Sequence, residues 1–375
     1  MDTIGLVALI FAALFNGTAF VPVKLCAKWH RKHCDSDTYD MVVFQGWWGL
    51  AAAVAMMLTA PIECAIQPSQ CLRFSYYAFL TGASIFTATV AVLISVHHLG
   101  VGLEPSVVAA FYVVCGFVED LLLLHNIAEP LSACALGLLL LGAAGVVACR
   151  KLSPAPAAKD AQLLSSAMEH DTPMSECRTH HAPSAAPTRL VTGLVAGFAT
   201  GLFGSMVPLT SKKAVGTDGQ PMYPFGYAAP VGVGLVAVTF VVTPLRVAIR
   251  RWSGAAVMPT QEDCAEGSSA KPSAQQRAMS LALYGTASGL IWGVGAALLN
   301  FGLDRGVELS TANAMYQCAL LVGGLWGIFF REIRGWRAIV CFLVSAAALL
   351  GAVVLMGSYV HPPYLPPSPL PSSPP

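Results

Sequence analysis

Asn16 and Thr18, Gln45 beside Trp47 and Trp48, Trp292 with Asn300, and Tyr316 with Gln317 all fall inside stretches of the chain that are otherwise apolar. A polar side chain in such a setting is costly enough to be a functional suspect by default. Amides and hydroxyls supply paired donors and acceptors, and aromatic rings supply flat apolar faces, a combination that suits a small polar ligand in a partly desolvated cavity. Asn16, Gly17 and Thr18 also lie four to six residues before Pro22. A proline inside a helix removes one backbone donor and clashes one turn back, so Gly17 and Pro22 mark a kink whose freed carbonyls can meet a ligand. Close helix packing through small residues is the other reading of that run. The tryptophans also read as interfacial anchors, with Trp292 lying deeper in its stretch than Trp47. Lys24, which ends the first stretch, is placed to snorkel to the interface.

Glu119 and Asp120 are the sharpest acidic feature. On a helix Glu119 shares a face with Tyr112 and Gly116, and a carboxylate held at membrane depth can exchange a proton because burial penalises its charged form. Proton coupling is one reading; the plainer one ends the span earlier and leaves both acids among headgroups. Cys26, His30, His33 and Cys34 have ligand types for Zn²⁺, but they lack a finger frame and have four basic neighbours, so no metal is expected. No Gly-rich phosphate loop, nucleophile elbow or HExxH run is present, which leaves an enzyme reading little support and implies no cofactor.

The elements that must position these residues are membrane spans. Hydrophobic residues make up 55% of the 375 and charged residues 11%, with a mean hydropathy of +0.65, outside the balance of a soluble domain. Apolar runs of membrane length predict an all-α polytopic membrane protein with spans near 3–23, 40–60, 76–98, 105–124 and 131–149. A second set lies near 189–209, 222–245, 278–303, 307–330 and 336–357. The runs are continuous rather than alternating, which argues against a β-barrel. The first span lacks a basic leader before it, so it reads as retained.

The sequence also repeats itself. A glycine, a hydroxyl residue and Val-Pro recur in order in Gly17-Thr18-Ala19-Phe20-Val21-Pro22 and in Gly204-Ser205-Met206-Val207-Pro208. Sliding residues 83–121 onto 287–325 without a gap pairs Ser84 with Ser288, Gly102 with Gly306, Glu104 with Glu308 and Tyr112 with Tyr316. Two five-span repeats, 1–150 and 188–358, are thus expected around a central site, with inverted topology because five is odd. That is the plan of a secondary transporter. Residues 151–187 read as a disordered linker and 359–375 as a Pro-rich tail favouring polyproline II. Of the 21 Lys and Arg, all but Arg73, Lys212, Lys213 and Arg305 fall on one side of a ten-span layout, so both termini are expected outside the cytosol. Cys64 and Cys71 share a short loop on that outer side, where a disulfide is an open alternative.

The run Leu14-Phe15 to Lys24 resembles the first-helix signature of the transmembrane protein 144 family, a sugar-transporter-like branch of the drug/metabolite transporter superfamily. Asp40-Met41 with Phe44-Gln45 and Trp47, Tyr223-Pro224-Phe225 and Gly289-Leu290-Ile291-Trp292 are similar to its second, seventh and eighth helices, and Trp326 to Gly335 to its ninth-to-tenth junction. Ala128 to Ser132 resembles the junction of the fourth and fifth helices in the superfamily. Phe111-Tyr112 stands where a Trp-Gly pair is expected, and the aromatic residue expected just before Val207-Pro208 is missing, Met206 standing there. The resemblance implies a ten-helix transporter with carbohydrate as the favoured substrate, for which Asn16, Thr18, Gln45, Trp47, Trp292, Asn300, Tyr316 and Gln317 are the binding candidates. The implied partners are a small-molecule substrate and the lipid bilayer, with a homodimer left open and no sign of nucleic acid. Nucleotide-sugars or organic phosphates are a rival substrate class, although they would want intramembrane cations, and a non-transporting membrane scaffold is a rival of another kind.

Overall fold

A computed structural model describes residues 3–34, 41–66, 68, 73–99, 107–108, 111–112, 114–115, 118, 130–152, 186–216, 222, 224–252, 272–305, 307, 312, 315, 318–331 and 333–358. Among these the secondary structure is helical, with no strand. The helices are α1 (Thr3–Thr18), α2 (Phe20–Cys34), α3 (Met41–Met57), α4 (Thr59–Ile66), α5 (Tyr77–Leu99), α6 (Pro130–Leu152), α7 (Ala186–Lys213), α8 (Pro224–Trp252), α9 (Ala274–Asp304), α10 (Ala319–Phe329) and α11 (Trp336–Ser358). Among the described residues, six helical stretches are long and apolar enough to cross a membrane: Thr3–His30, Val43–Ile66, Tyr77–Val96, Val191–Ser211, Phe225–Leu245 and Ala274–Asp304. They coincide with the expected first, second, third, sixth, seventh and eighth spans. Shorter apolar stretches, Ala133–Gly142 and Trp336–Ala352, lie in the fifth and tenth. Most of the fourth span, much of the ninth, the linker and the tail lie outside the described residues.

The first span breaks where its proline demands. α1 ends at Thr18 and α2 starts at Phe20, so Pro22 sits in the first turn of a new helix, where its missing N–H costs little. The Ala19 carbonyl at the break accepts a hydrogen bond from Ser288 Oγ at 2.6 Å. α9 opens on a capping box, with Ser273 Oγ accepting from Gln276 N–H at 3.2 Å and Ser273 N–H donating to Gln276 Oε1 at 2.9 Å.

Small residues set how closely the helices pack. A Cβ on Gly285, Gly289 or Gly293 would collide with the carbonyl oxygen of Phe44, Trp48 or Ala52 respectively, so α3 and α9 run parallel along a glycine seam. α1 lies antiparallel to α9, with Gly5 against Gly302 and Asn16 against Gly295. α5 lies antiparallel to α7, with Thr81 bonded to Thr210 at 2.7 Å, Thr200 Oγ1 donating to the Ala88 carbonyl at 3.3 Å and Ser95 Oγ donating to the Gly193 carbonyl at 3.1 Å. α8 packs on both α3 and α5, and α6 packs on α11. The main core joins α3, α5, α8 and α9 through buried Phe44, Trp48, Phe86, Tyr227, Leu235 and Leu281.

The Trp326 to Gly335 run is a folded corner. Arg331 and Gly335 adopt left-handed backbone, φ 59° and 81°, and the Ile333 N–H closes the turn on the Gly327 carbonyl at 3.2 Å. Trp326 stacks on Phe330 with centroids 5.9 Å apart, and Lys24 Nζ lies 4.1 Å from the Phe330 centroid. The run thus staples the first span to the corner before α11.

Candidate functional site

Gln45 sits on the first turn but one of α3, 1% exposed, and neither its Oε1 nor its Nε2 has a hydrogen-bond partner among the described residues. An unmet buried amide costs about 1–3 kcal/mol per group, and an amide that carries both a donor and an acceptor can receive either kind of ligand group. One turn along, Trp48 is buried and meets Trp292 of α9, with ring centroids 5.1 Å apart and planes tilted by 50°. The pair closes the α3–α9 seam just above Gln45, in the register that puts Phe44 opposite Gly285 and Trp48 opposite Gly289.

Across α3 from that seam, Gly46 and Gly49 face Thr243 and Thr239 of α8, and a Cβ on Gly49 would come within 2.6 Å of Thr239 Oγ1. Both threonine hydroxyl oxygens are buried with no partner among the described residues. Gln45, Thr239 and Thr243 thus bring unsatisfied polar groups to one level of two facing helices, near the start of α3 and toward the end of α8.

Other predicted residues are placed less centrally. Asn16 is buried against Gly295 and donates from Nδ2 to the Ala12 carbonyl at 2.8 Å, one turn back. Thr18 Oγ1 accepts from Trp326 Nε1–H at 3.2 Å. Asn300 is half-buried toward the far end of α9. Trp47 is 44% exposed, an anchor on the outer surface rather than a wall of the site, because the next position on the helix is the one that turns inward. Tyr316, Gln317, Glu119 and Asp120 lie outside the described residues. His30 of the Cys/His run shares a hydrogen bond with Ser280 Oγ at 3.3 Å, and Cys26 is a buried packing residue.

The opposite end of the bundle carries polar contacts that the sequence did not signal. Thr81 Oγ1 lies 2.7 Å from Thr210 Oγ1 and 2.7 Å from the Tyr227 hydroxyl, so these three buried groups are satisfied by one another. Phe225 N–H donates to Asp304 Oδ2 at 3.0 Å, a carboxylate at the first turn of α8, and buried Glu63 packs onto Gly226 beside it. Cys64, at the same end, is in a disulfide; Cys71 lies outside the described residues.

No protein-family model and no curated protein matches the sequence. The chain is similar in fold to a solved structure described as "Crystal structure of protein", with 12% identity and a TM-score of 0.50 over 95% of this chain and 96% of that one. At that identity the likeness extends to the overall fold alone.

Proposed function

We propose that this chain is a secondary membrane transporter that moves a small polar metabolite, with carbohydrate the favoured class, by alternating access around the Gln45 site. The observation that carries this is Gln45 itself: a fully buried amide, unmet on both atoms among the described residues, one turn from buried Trp48 and the partly buried Trp292 ring it meets. A sugar offers hydroxyls to such an amide and C–H faces to such rings. The motifs resembling the transmembrane protein 144 family point to the same class. Uptake of a labelled panel of sugars and sugar phosphates into liposomes carrying the purified protein tests it, since a scaffold moves nothing.

Ten spans in two inverted repeats are the architecture we assign to this function, and the helix pairings support it. Exchanging the halves turns the antiparallel pair α1 and α9 into α7 and α5, also antiparallel, and the pair α3 and α9 into α8 and α5; the pairs α3 with α8 and α6 with α11 map onto themselves. Halves that interlock through equivalent contacts can rock against each other around a fixed site.

The charge pattern and the Cys64 disulfide agree on orientation. Lys and Arg gather at the end where α2 and α8 finish, and the disulfide lies at the other, as an oxidising compartment requires. An impermeant thiol reagent added outside intact cells should leave Cys34 and Cys177 unlabelled; ready labelling of either reverses the assignment.

Coupling to protons is proposed through Glu119, with Asp120 beside it. Glu119→Gln should abolish the response of uptake to a pH gradient while leaving downhill exchange in place. Wild-type uptake that ignores a pH gradient retires this mechanism.

A further inference from the structure

The threonines of this protein show which hydroxyls are spoken for. In an apolar helix a threonine normally donates to the carbonyl one turn back, and Thr81 does so to Tyr77 at 3.0 Å. Thr89 does the same to Ile85 at 2.8 Å, Thr200 to Ala196 at 3.0 Å and Thr210 to Met206 at 3.0 Å. Thr239 and Thr243 depart from this pattern. Both are on α8 with a carbonyl one turn back, yet neither hydroxyl bonds to it or to any other described group, and Thr239 is only 3% exposed. The two are four residues apart and so share a face, and that face meets α3 at Gly46 and Gly49, where the missing side chains let both threonines approach the α3 backbone. Pro244, inside α8, takes away the N–H that would have bonded the Phe240 carbonyl, which loosens the helix at this same turn. Gln45, one residue before Gly46, adds two more buried polar atoms with no partner among the described residues.

We propose that Thr239 and Thr243 of α8, together with Gln45 of α3, form one ligand site for an uncharged, hydroxyl-bearing solute, and that the threonines set its specificity. The proposal rests on the transporter reading for its role and goes beyond it in the residues. All three groups are neutral, so they can bond hydroxyls in either direction but offer no counter-charge to a phosphate. A site that asks for hydroxyls rejects analogues lacking them, because its own buried groups are then left unmet. Gln45 belongs to the first half and the threonines to the second, so a bound solute bridges the two halves where they must part during transport.

Thermal unfolding of the detergent-purified protein, titrated with a panel of neutral mono- and disaccharides and their phosphates, tests the site without requiring transport. At least one neutral sugar should raise the melting temperature while its phosphate does not. Thr239→Val and Thr243→Val should each weaken that sugar about tenfold, and Thr239→Ser, which keeps the hydroxyl, should bind as the wild type does. Without ligand, the valine variants should melt no lower than the wild type, since each loses a buried hydroxyl that had no partner. The proposal is overturned if no neutral sugar stabilises the protein, if the phosphates are preferred, or if both valine variants bind as the wild type does. Sugar binding that depends on the threonines, without flux in liposomes, would remove the transporter reading and keep the site. Flux that is unchanged in both valine variants would do the reverse.

Discussion

Gly82→Ala and Gly234→Ala are each expected to destabilise the protein by about 3 kcal/mol or more, enough to collapse the yield of folded material in detergent. The first methyl would collide with the backbone of Gly234 and Leu235, the second with the backbone of Ala78 and Phe79. Main chain on both sides leaves no side chain to swing aside, so α5 and α8 would have to separate. Gly137→Ala and Gly351→Ala provide the control, because a Cβ there meets no atom within 4 Å. Alanine is the better helix former, so those two should be neutral or gain about 0.5–1 kcal/mol. Thermal unfolding of the four variants side by side checks both signs. Equal stability across the four would mean that the α5–α8 contact is wrong.

Gln45→Ala and Trp292→Ala are expected to weaken transport ten- to hundredfold while leaving the protein folded, which corresponds to about 1–3 kcal/mol of lost substrate interaction. The amide has no hydrogen bond to lose among the described residues, so its removal should cost little stability. Trp292 is a sterner case, because its ring also packs on Trp48. Trp292→Phe, which keeps a ring, should therefore retain more transport than Trp292→Ala at similar stability. Trp47→Ala should be close to silent, since that ring faces outward. Normal uptake by Gln45→Ala would displace the site even if the protein proves to be a transporter.

Much of the frame was legible because membrane-length apolar runs and prolines act locally. The runs predicted the six long apolar helices and the break before Pro22 fell where the missing N–H requires it. Helix ends were less legible: α2 continues to Cys34 and α4 to Ile66, past the expected span limits near 23 and 60. Within the site, Gln45 and Trp292 stood out as polar or aromatic residues in apolar runs. The choice between Trp47 and Trp48 could not be read, since adjacent positions differ by about 100° around a helix and only the partner helix decides which points inward. Thr239 and Thr243 were missed because a threonine in an apolar helix usually satisfies itself, and only the structure shows that these two do not. The Thr81, Thr210 and Tyr227 cluster was missed for a related reason: its members come from three helices far apart in sequence.

Counterflow tests the central claim most directly. Liposomes containing the purified protein are loaded with an unlabelled neutral sugar and diluted into a trace of the same sugar in labelled form. A carrier that alternates around one site predicts a transient accumulation of label above equilibrium for at least one sugar of the panel, and a strongly reduced overshoot in Gln45→Ala. Folded protein that gives no overshoot with any member of the panel would contradict it.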